Sequence, residues 1–346
     1  MGMVKKLFLL LYMMHISMVV CMNRPFERKS LVVIPGQNGA GGQNLTYVLP
    51  QFEEGRIYHV ETPSSLPDLG QNKCMSYLKK TMASQNILLF TENVIIHASS
   101  QGTATAMNHF EDIKRGAAVK IKEGPWRKDP FYAQQDHSLQ KVKALILEAI
   151  MLTGNSAIEH TARNLQGITF PGSYYCLPYI AKIMFPFYAP AGQQAVFSCD
   201  SLPQDLPVII LHAPQDPQLS FRDAQALYAY LKNKGNQHVY FMPIEDGYHV
   251  LLLKEGDQAI RTLQAILYKH HLLPDEHIHS KKYENQFSST DLTPYQPEVK
   301  QEWLDHFHNL RNKEKRIQKL DYAVKGAFVA FICYIFYMHN LLGIFS

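Results

Sequence analysis

Short apolar runs alternate with longer segments of helical periodicity between residues 31 and 273. Several runs are apolar at consecutive positions, as expected for strands buried on both faces. The alternation predicts an α/β fold with a mostly parallel central sheet and helices on both faces. The predicted strands are 31–34, 56–61, 93–97, 142–150, 206–212 and 237–242, and the predicted helices are 72–84, 102–115, 221–234 and 257–271.

Other segments lack regular periodicity. Residues 123–140 and 167–206 are rich in proline, glycine and aromatic residues, which favours loops or a partial lid. Residues 274–325 are predicted to form a polar linker followed by a charged helix. The predicted α/β domain therefore spans 23–273.

Both ends of the chain are hydrophobic. In residues 1–22, two lysines precede an apolar run, which is typical of a signal peptide or an uncleaved anchor; a buried strand or helix is the alternative. Residues 326–345 have the length of a transmembrane helix, the alternative being a helix packed on the domain. Basic residues before this segment favour a cytoplasmic flank, but the first hydrophobic segment usually dominates topology. We therefore expect a membrane-associated, exported protein.

The composition excludes several classes of protein. The chain has 346 residues, 46% of them hydrophobic, and a net charge of +4. Residues 311–325 hold six basic and two acidic residues, so the remainder is nearly neutral, which argues against a nucleic-acid partner. Five cysteines without a C-x-x-C pair exclude a zinc ribbon. The paired histidines near the C-terminus lack further ligands at metal spacing, and we expect neither a metal nor a cofactor.

A candidate nucleophile follows the third predicted strand. Ser100 has Ala98 two residues before it and Gly102 two residues after it. Small residues at these positions suit a nucleophile elbow, because bulky neighbours would clash with the strand and helix that the turn joins. The simpler alternative is an ordinary strand-to-helix turn capped by a serine.

A base and an acid follow in chain order. Asp216 comes after the strand 206–212, and His249 comes after the strand 237–242. Both would lie at the carboxyl edge of the sheet, where sites of open α/β folds collect. The order serine, aspartate, histidine suits a catalytic triad. Glu148, at the end of an earlier strand, is the alternative acid.

A glycine-rich turn, residues 35–42, follows the first strand. Its backbone N–H groups could face an oxyanion together with the N–H of Gln101, the residue after the candidate nucleophile. The competing interpretation, a phosphate-binding loop, requires a lysine or a glycine spacing that this turn lacks.

Together these motifs resemble the α/β-hydrolase superfamily, and most closely its compact serine-hydrolase branch of monoacylglycerol-lipase-like and prolyl-oligopeptidase-like domains. The resemblance implies Ser100 as nucleophile, His249 as base, Asp216 as its acid, and the amides of Gln37 and Gln101 as the oxyanion hole. The chain departs from the pattern at Ala98, Pro35 and Ala213, where the family commonly has glycine, histidine and glycine.

These features predict a serine hydrolase that cleaves carboxylic esters, with a small-molecule acyl ester or a lipid as substrate. The aromatic stretch 170–187 is expected either to line an acyl pocket or to pack in the core. The alternatives are an inactive, membrane-anchored binding protein with this fold and a serine peptidase with the same triad.

Overall fold

The computed structural model describes residues 29–35, 57–60, 69–71, 74, 76, 78, 93–122, 142–182, 185, 187–250, 252, 257–273, 285 and 287–341. The predicted signal or anchor segment, 1–22, and the predicted oxyanion residue Gln37 lie outside these ranges.

The predicted sheet is confirmed. Six described strands pair in the order β2-β1-β3-β4-β5-β6, and every pair is parallel. Each corresponds to one of the predicted apolar runs. The strands are β1 Lys29–Ile34, β2 Ile57–His59, β3 Asn93–Ser99, β4 Val142–Glu148, β5 Val208–His212 and β6 Val239–Pro243.

The described helices lie between several of these strands or follow the last one. Those of at least eight residues are α1 Gln101–Lys122, α2 Gly154–Gln166, α3 Ser173–Ala181, α5 Phe221–Asn233, α6 Asp257–Lys269 and α7 Gln301–Leu341. Short elements are α4 Ala195–Ser198 and the 3₁₀ turns Cys199–Ser201 and Thr293–Tyr295. α3 lies in a stretch that the sequence predicted to be loop. Pro178 within it and Gly172 before it, at φ 83°, had favoured that prediction.

The sheet is buried on both faces, because successive strand residues point to opposite sides. Ile96 and Ile210 pack on one face with α1, α5 and α7. Their neighbours Ile95 and Ile209 pack on the other face with α6. Full burial of such a side chain contributes about 1.5–3 kcal/mol, so these consecutive apolar positions stabilise both layers.

The first half of α7 packs on the domain. Phe307 is fully buried and its ring stacks on Tyr230 of α5 at 4.0 Å between centroids. Arg311 pairs with Asp200 at 2.6 Å. The buried apolar residues recur at helical spacing along one face of α7: Trp303, Phe307, Leu310 and Ile317.

The second half of α7 is different. From Leu320 onward its described apolar side chains are exposed, with Tyr322 at 75%. The transmembrane helix predicted at 326–345 is not found: in the described part of the chain, no helix combines the length and the apolarity needed to cross a membrane. Most of that apolar segment instead forms the end of a 41-residue helix.

Cys176, Cys199 and Cys333 are free thiols. Cys74 and Cys199 are buried, whereas Cys176 on α3 and Cys333 on α7 are exposed. Burial raises the pKa of the Cys199 thiol to about 12.

Candidate active site at the carboxyl edge of the sheet

Ser100 forms the sharp turn between β3 and α1. Its φ of 51° lies in the left-handed region, which costs a residue with a side chain on the order of 1–3 kcal/mol. Neighbouring hydrogen bonds hold this conformation. The Ser100 N–H donates to the carbonyl of Glu148 at 2.9 Å, and the N–H and hydroxyl of Thr103 donate to the Ser100 carbonyl at 2.9 and 2.6 Å.

Gly102 allows α1 to begin against the end of β1. A Cβ at this position would lie 2.4 Å from the carbonyl oxygen of Ile34 and 2.8 Å from that of Pro35. Any other residue would therefore displace one of these backbones. The close approach also fixes the end of the first strand beside the turn that carries Ser100.

Asp216 and His249 lie in hydrogen-bond contact. Nδ1 of His249 is 2.8 Å from Oδ2 of Asp216. The Asp216 side chain is fully buried, and its Oδ1 accepts the backbone N–H groups of Gln218 and Leu219 at 2.8 and 3.0 Å. Because an ionised carboxylate can only accept, a neutral His249 ring carries its proton on Nδ1 and keeps the lone pair on Nε2.

His212, which the sequence analysis did not single out, lies behind this pair. Its Nδ1 accepts the N–H of Ile150 at 2.9 Å, and its Nε2–H donates to the carbonyl of Leu219 at 3.3 Å. Burial lowers the pKa of His212, although Asp216 opposes that shift, so the ring is neutral. Its hydrogen bond to Leu219 stabilises the loop that carries Asp216.

A second buried cluster lies under the Ser100 turn. Oε2 of Glu148 accepts the Ser99 hydroxyl at 3.0 Å and the Nε2–H of His97 at 3.1 Å. Oε1 accepts the N–H of Leu252 at 2.7 Å. Ser99 and Glu148 are direct partners in the parallel pairing of β3 with β4. In the sequence, polar residues at the ends of these two apolar strands could have indicated this cluster.

The structure joins some of the predicted site residues and leaves others apart. Asp216 and His249 are joined, while among the described residues no hydrogen bond joins Ser100 Oγ to the imidazole. Such catalytic contacts often tighten only when substrate binds. Gln101 is the first residue of α1, where N–H groups have no partner within the helix. Glu148, the alternative acid, binds Leu252, Ser99 and His97 rather than His249.

Three aromatic residues of the stretch 170–187 line a cleft. Phe170, Tyr174 and Tyr175 border a space of about 470 Å³ together with Arg163 and Lys313. The lining includes none of Ser100, Asp216 and His249. Among the described residues, this cleft is therefore not shared with the candidate triad.

The chain matches no protein-family model and no curated protein. Solved structures similar to it include esterases and α/β hydrolases. The esterase Pf2001 of Pyrococcus furiosus is 10% identical over 70% of this chain and 82% of its own, with a TM-score of 0.47. Est1E from Butyrivibrio proteoclasticus is 14% identical over 72% and 90%, with a TM-score of 0.42. An alpha/beta hydrolase from Novosphingobium aromaticivorans is 14% identical over 69% and 89%, with a TM-score of 0.40.

Proposed function

We propose that the protein is a serine hydrolase of the α/β-hydrolase fold that cleaves carboxylic esters through an acyl-enzyme. The observation that carries the proposal is the hydrogen bond between Asp216 and His249, at the same sheet edge as the strained Ser100 turn. Nucleophilic acyl transfer needs a serine on a sharp turn after a strand and a histidine oriented by a carboxylate. Here the serine has a left-handed backbone conformation after a parallel strand, and the carboxylate is buried.

In this proposal Ser100 Oγ attacks the ester carbonyl while Nε2 of His249 takes the hydroxyl proton. Asp216 holds the imidazole in the required tautomer and stabilises the imidazolium. The N–H groups of Gln101 and Gln37 stabilise the oxyanion. The imidazolium then protonates the departing alcohol, and a water molecule activated by His249 releases the acid and restores Ser100.

The acid in this scheme is Asp216 rather than Glu148. Both Asp216 oxygens lie within 3.1 Å of Nδ1 of His249, whereas the Glu148 oxygens accept hydrogen bonds from other groups. This arrangement supports the order serine, aspartate, histidine along the chain.

Labelling with a fluorophosphonate probe tests the proposal. We expect wild-type protein to form an adduct at Ser100, located by peptide mass spectrometry, and Ser100→Ala and His249→Ala to lose it. Ser201→Ala and His308→Ala are matched controls and should label like wild type. A folded wild-type protein without an adduct at Ser100 would contradict the proposal and favour a binding protein with this fold.

We further propose that the protein acts at a membrane surface, on a lipid or long-chain acyl ester, and that the predicted segment 1–22 exports it. Exposed apolar side chains on α7 support lipid contact: Leu320, Tyr322, Val324, Val329, Phe331 and Tyr334. The exposed basic residues Lys315, Arg316 and Lys319 precede Val324 along this helix and would face anionic headgroups. Flotation with phosphatidylcholine vesicles containing phosphatidylserine should carry the protein upward, and unchanged sedimentation would contradict this proposal.

A further inference from the structure

Glu148 contacts both parts of the candidate active site. Through its backbone carbonyl it accepts the N–H of Ser100, and through its carboxylate it accepts the N–H of Leu252. Leu252 follows His249 by three residues, and Val250 between them has a φ of 54°. One residue of β4 therefore joins the nucleophile turn to the segment that carries the base.

The carboxylate is fixed on its other side as well. Ser99 and His97, both fully buried, donate to Oε2 from β3, the strand that delivers Ser100. Glu148 itself is only 2% exposed. The carboxylate accepts three hydrogen bonds and is almost inaccessible to water, so it has little freedom to move. It therefore fixes the position of Leu252 relative to β3.

The charge of this side chain favours the same role. Burial by itself raises the pKa of Glu148, but the hydrogen bonds from His97, Leu252 and Ser99 and the electrostatic attraction of the His97 ring outweigh it, so the pKa lies below its usual value. Glu148 is therefore ionised at neutral pH. Hydrogen bonds to an ionised acceptor are about twice as strong as those between neutral groups.

We propose that Glu148 is a positioning residue, whose buried carboxylate ties the His249 segment to the β3 strand and so sets the distance from His249 to Ser100. The inference rests on the proposed triad. The Glu148 carboxylate contacts none of the reacting atoms of the proposed triad, and it acts through the backbone of Leu252. Misplacement of a base by about 1 Å can lower a rate by about 10²-fold.

Two variants of similar size separate the hydrogen bonds from packing. In Glu148→Gln the amide oxygen still accepts from Leu252, and its NH₂ can face the Ser99 hydroxyl and the other tautomer of His97. Glu148→Leu keeps the bulk and removes every acceptor. We expect Glu148→Gln to label at Ser100 within about threefold of the wild-type rate, and Glu148→Leu to label about 10- to 100-fold more slowly. On an ester substrate the loss should fall on kcat, with KM within about twofold.

Hydrogen–deuterium exchange of the peptide that contains Leu252 gives a readout that needs no activity. We expect its amide to exchange faster in Glu148→Leu than in wild type or Glu148→Gln. Glu314→Gln, at another buried carboxylate, is the matched control and should change neither labelling nor this exchange. Should Glu148→Leu fail to fold, Glu148→Asp replaces it, because the shorter side chain cannot reach Leu252 while still holding Ser99 and His97.

Wild-type labelling and wild-type exchange in a folded Glu148→Leu or Glu148→Asp protein would overturn the inference. Slow labelling with unchanged exchange would also overturn it, since Leu252 would then remain tethered. An unlabelled wild type would count against the proposed function alone, because the exchange experiment still tests whether Glu148 tethers Leu252.

Discussion

Two buried glutamates in this protein have pKa values shifted in opposite directions. Glu148 lies at the carboxyl end of β4, and Glu314 lies on the packed half of α7. Burial raises the pKa of both, but at Glu148 the hydrogen bonds from His97, Leu252 and Ser99 outweigh it. At Glu314 burial dominates and raises the pKa to about 7, even though Tyr174 and Asn155 donate to it at 2.6 and 2.7 Å.

The groups around each carboxyl explain why the two pKa values shift in opposite directions. Glu148 has an imidazole and a backbone N–H among its partners, whereas Glu314 has a phenol and an amide, with the carboxyl of Asp223 nearby raising its pKa further. Burial alone therefore does not decide whether a carboxyl is charged; the charge of its surroundings does. At neutral pH Glu148 at the sheet edge is an anion, whereas Glu314 at the helix interface titrates near pH 7.

A third buried carboxyl belongs to Asp216, and its substitution has the largest expected effect on activity. Asp216→Asn presents an amide that can donate to Nδ1 of His249, which would favour the tautomer unable to accept the Ser100 proton. We expect kcat on an ester substrate to fall by about 10³- to 10⁴-fold with little change in KM. Steady-state kinetics on folded protein would measure this.

Asp205→Asn, in the exposed loop before β5, is the matched control and should retain wild-type kinetics. If Asp216→Asn retained wild-type kcat, the hydrogen bond at 2.8 Å would have no catalytic role, and Asp216 would cease to be the acid of the proposed triad.

The pH dependence of stability gives the next largest effect. The folded-state pKa of Glu314, about 7, exceeds its usual 4.5, so the folded protein retains this proton to higher pH than the unfolded chain does. The contribution of Glu314 to stability is therefore greatest at low pH and is lost as pH rises from about 4.5 to 7 and slightly beyond. A shift of this size corresponds to about 3 kcal/mol.

Urea unfolding of wild type and Glu314→Gln between pH 5 and pH 8 isolates this contribution, because the variant cannot titrate. We expect the wild type to lose about 2.5 kcal/mol relative to Glu314→Gln over that range, because part of the shift lies below pH 5. Glu302→Gln, exposed on the same helix, should follow the wild-type curve. Parallel curves for wild type and Glu314→Gln would mean that Glu314 is ionised throughout and that its burial does not raise its pKa.

The sequence predicted the sheet because its strands are apolar on consecutive positions, a pattern that depends only on burial of both faces. The order of Ser100, Asp216 and His249 could be read in the same way, since parallel strands end at one edge. The turn at Gly102 also follows from the sequence, although the approach of Ile34 that requires glycine appears only in three dimensions.

Other features depend on contacts between distant segments. The Glu148 cluster requires the register in which Ser99 faces Glu148, and no local pattern specifies that register. The α3 helix was missed because Gly172 and Pro178 normally interrupt helices. The burial of Glu314 within a charged segment depends on Tyr174 and Asn155, which lie 140 and 159 residues earlier in the chain.

The free thiols have a practical consequence. Because thiolate, not thiol, reacts with maleimides, buried Cys199 with its pKa of about 12 is inert, and the described cysteines open to such reagents are Cys176 and Cys333. A pair of nitroxide spin labels on these native residues would measure the separation between α3 and the exposed end of α7. Added vesicles would change that separation only if the end of α7 moved relative to α3.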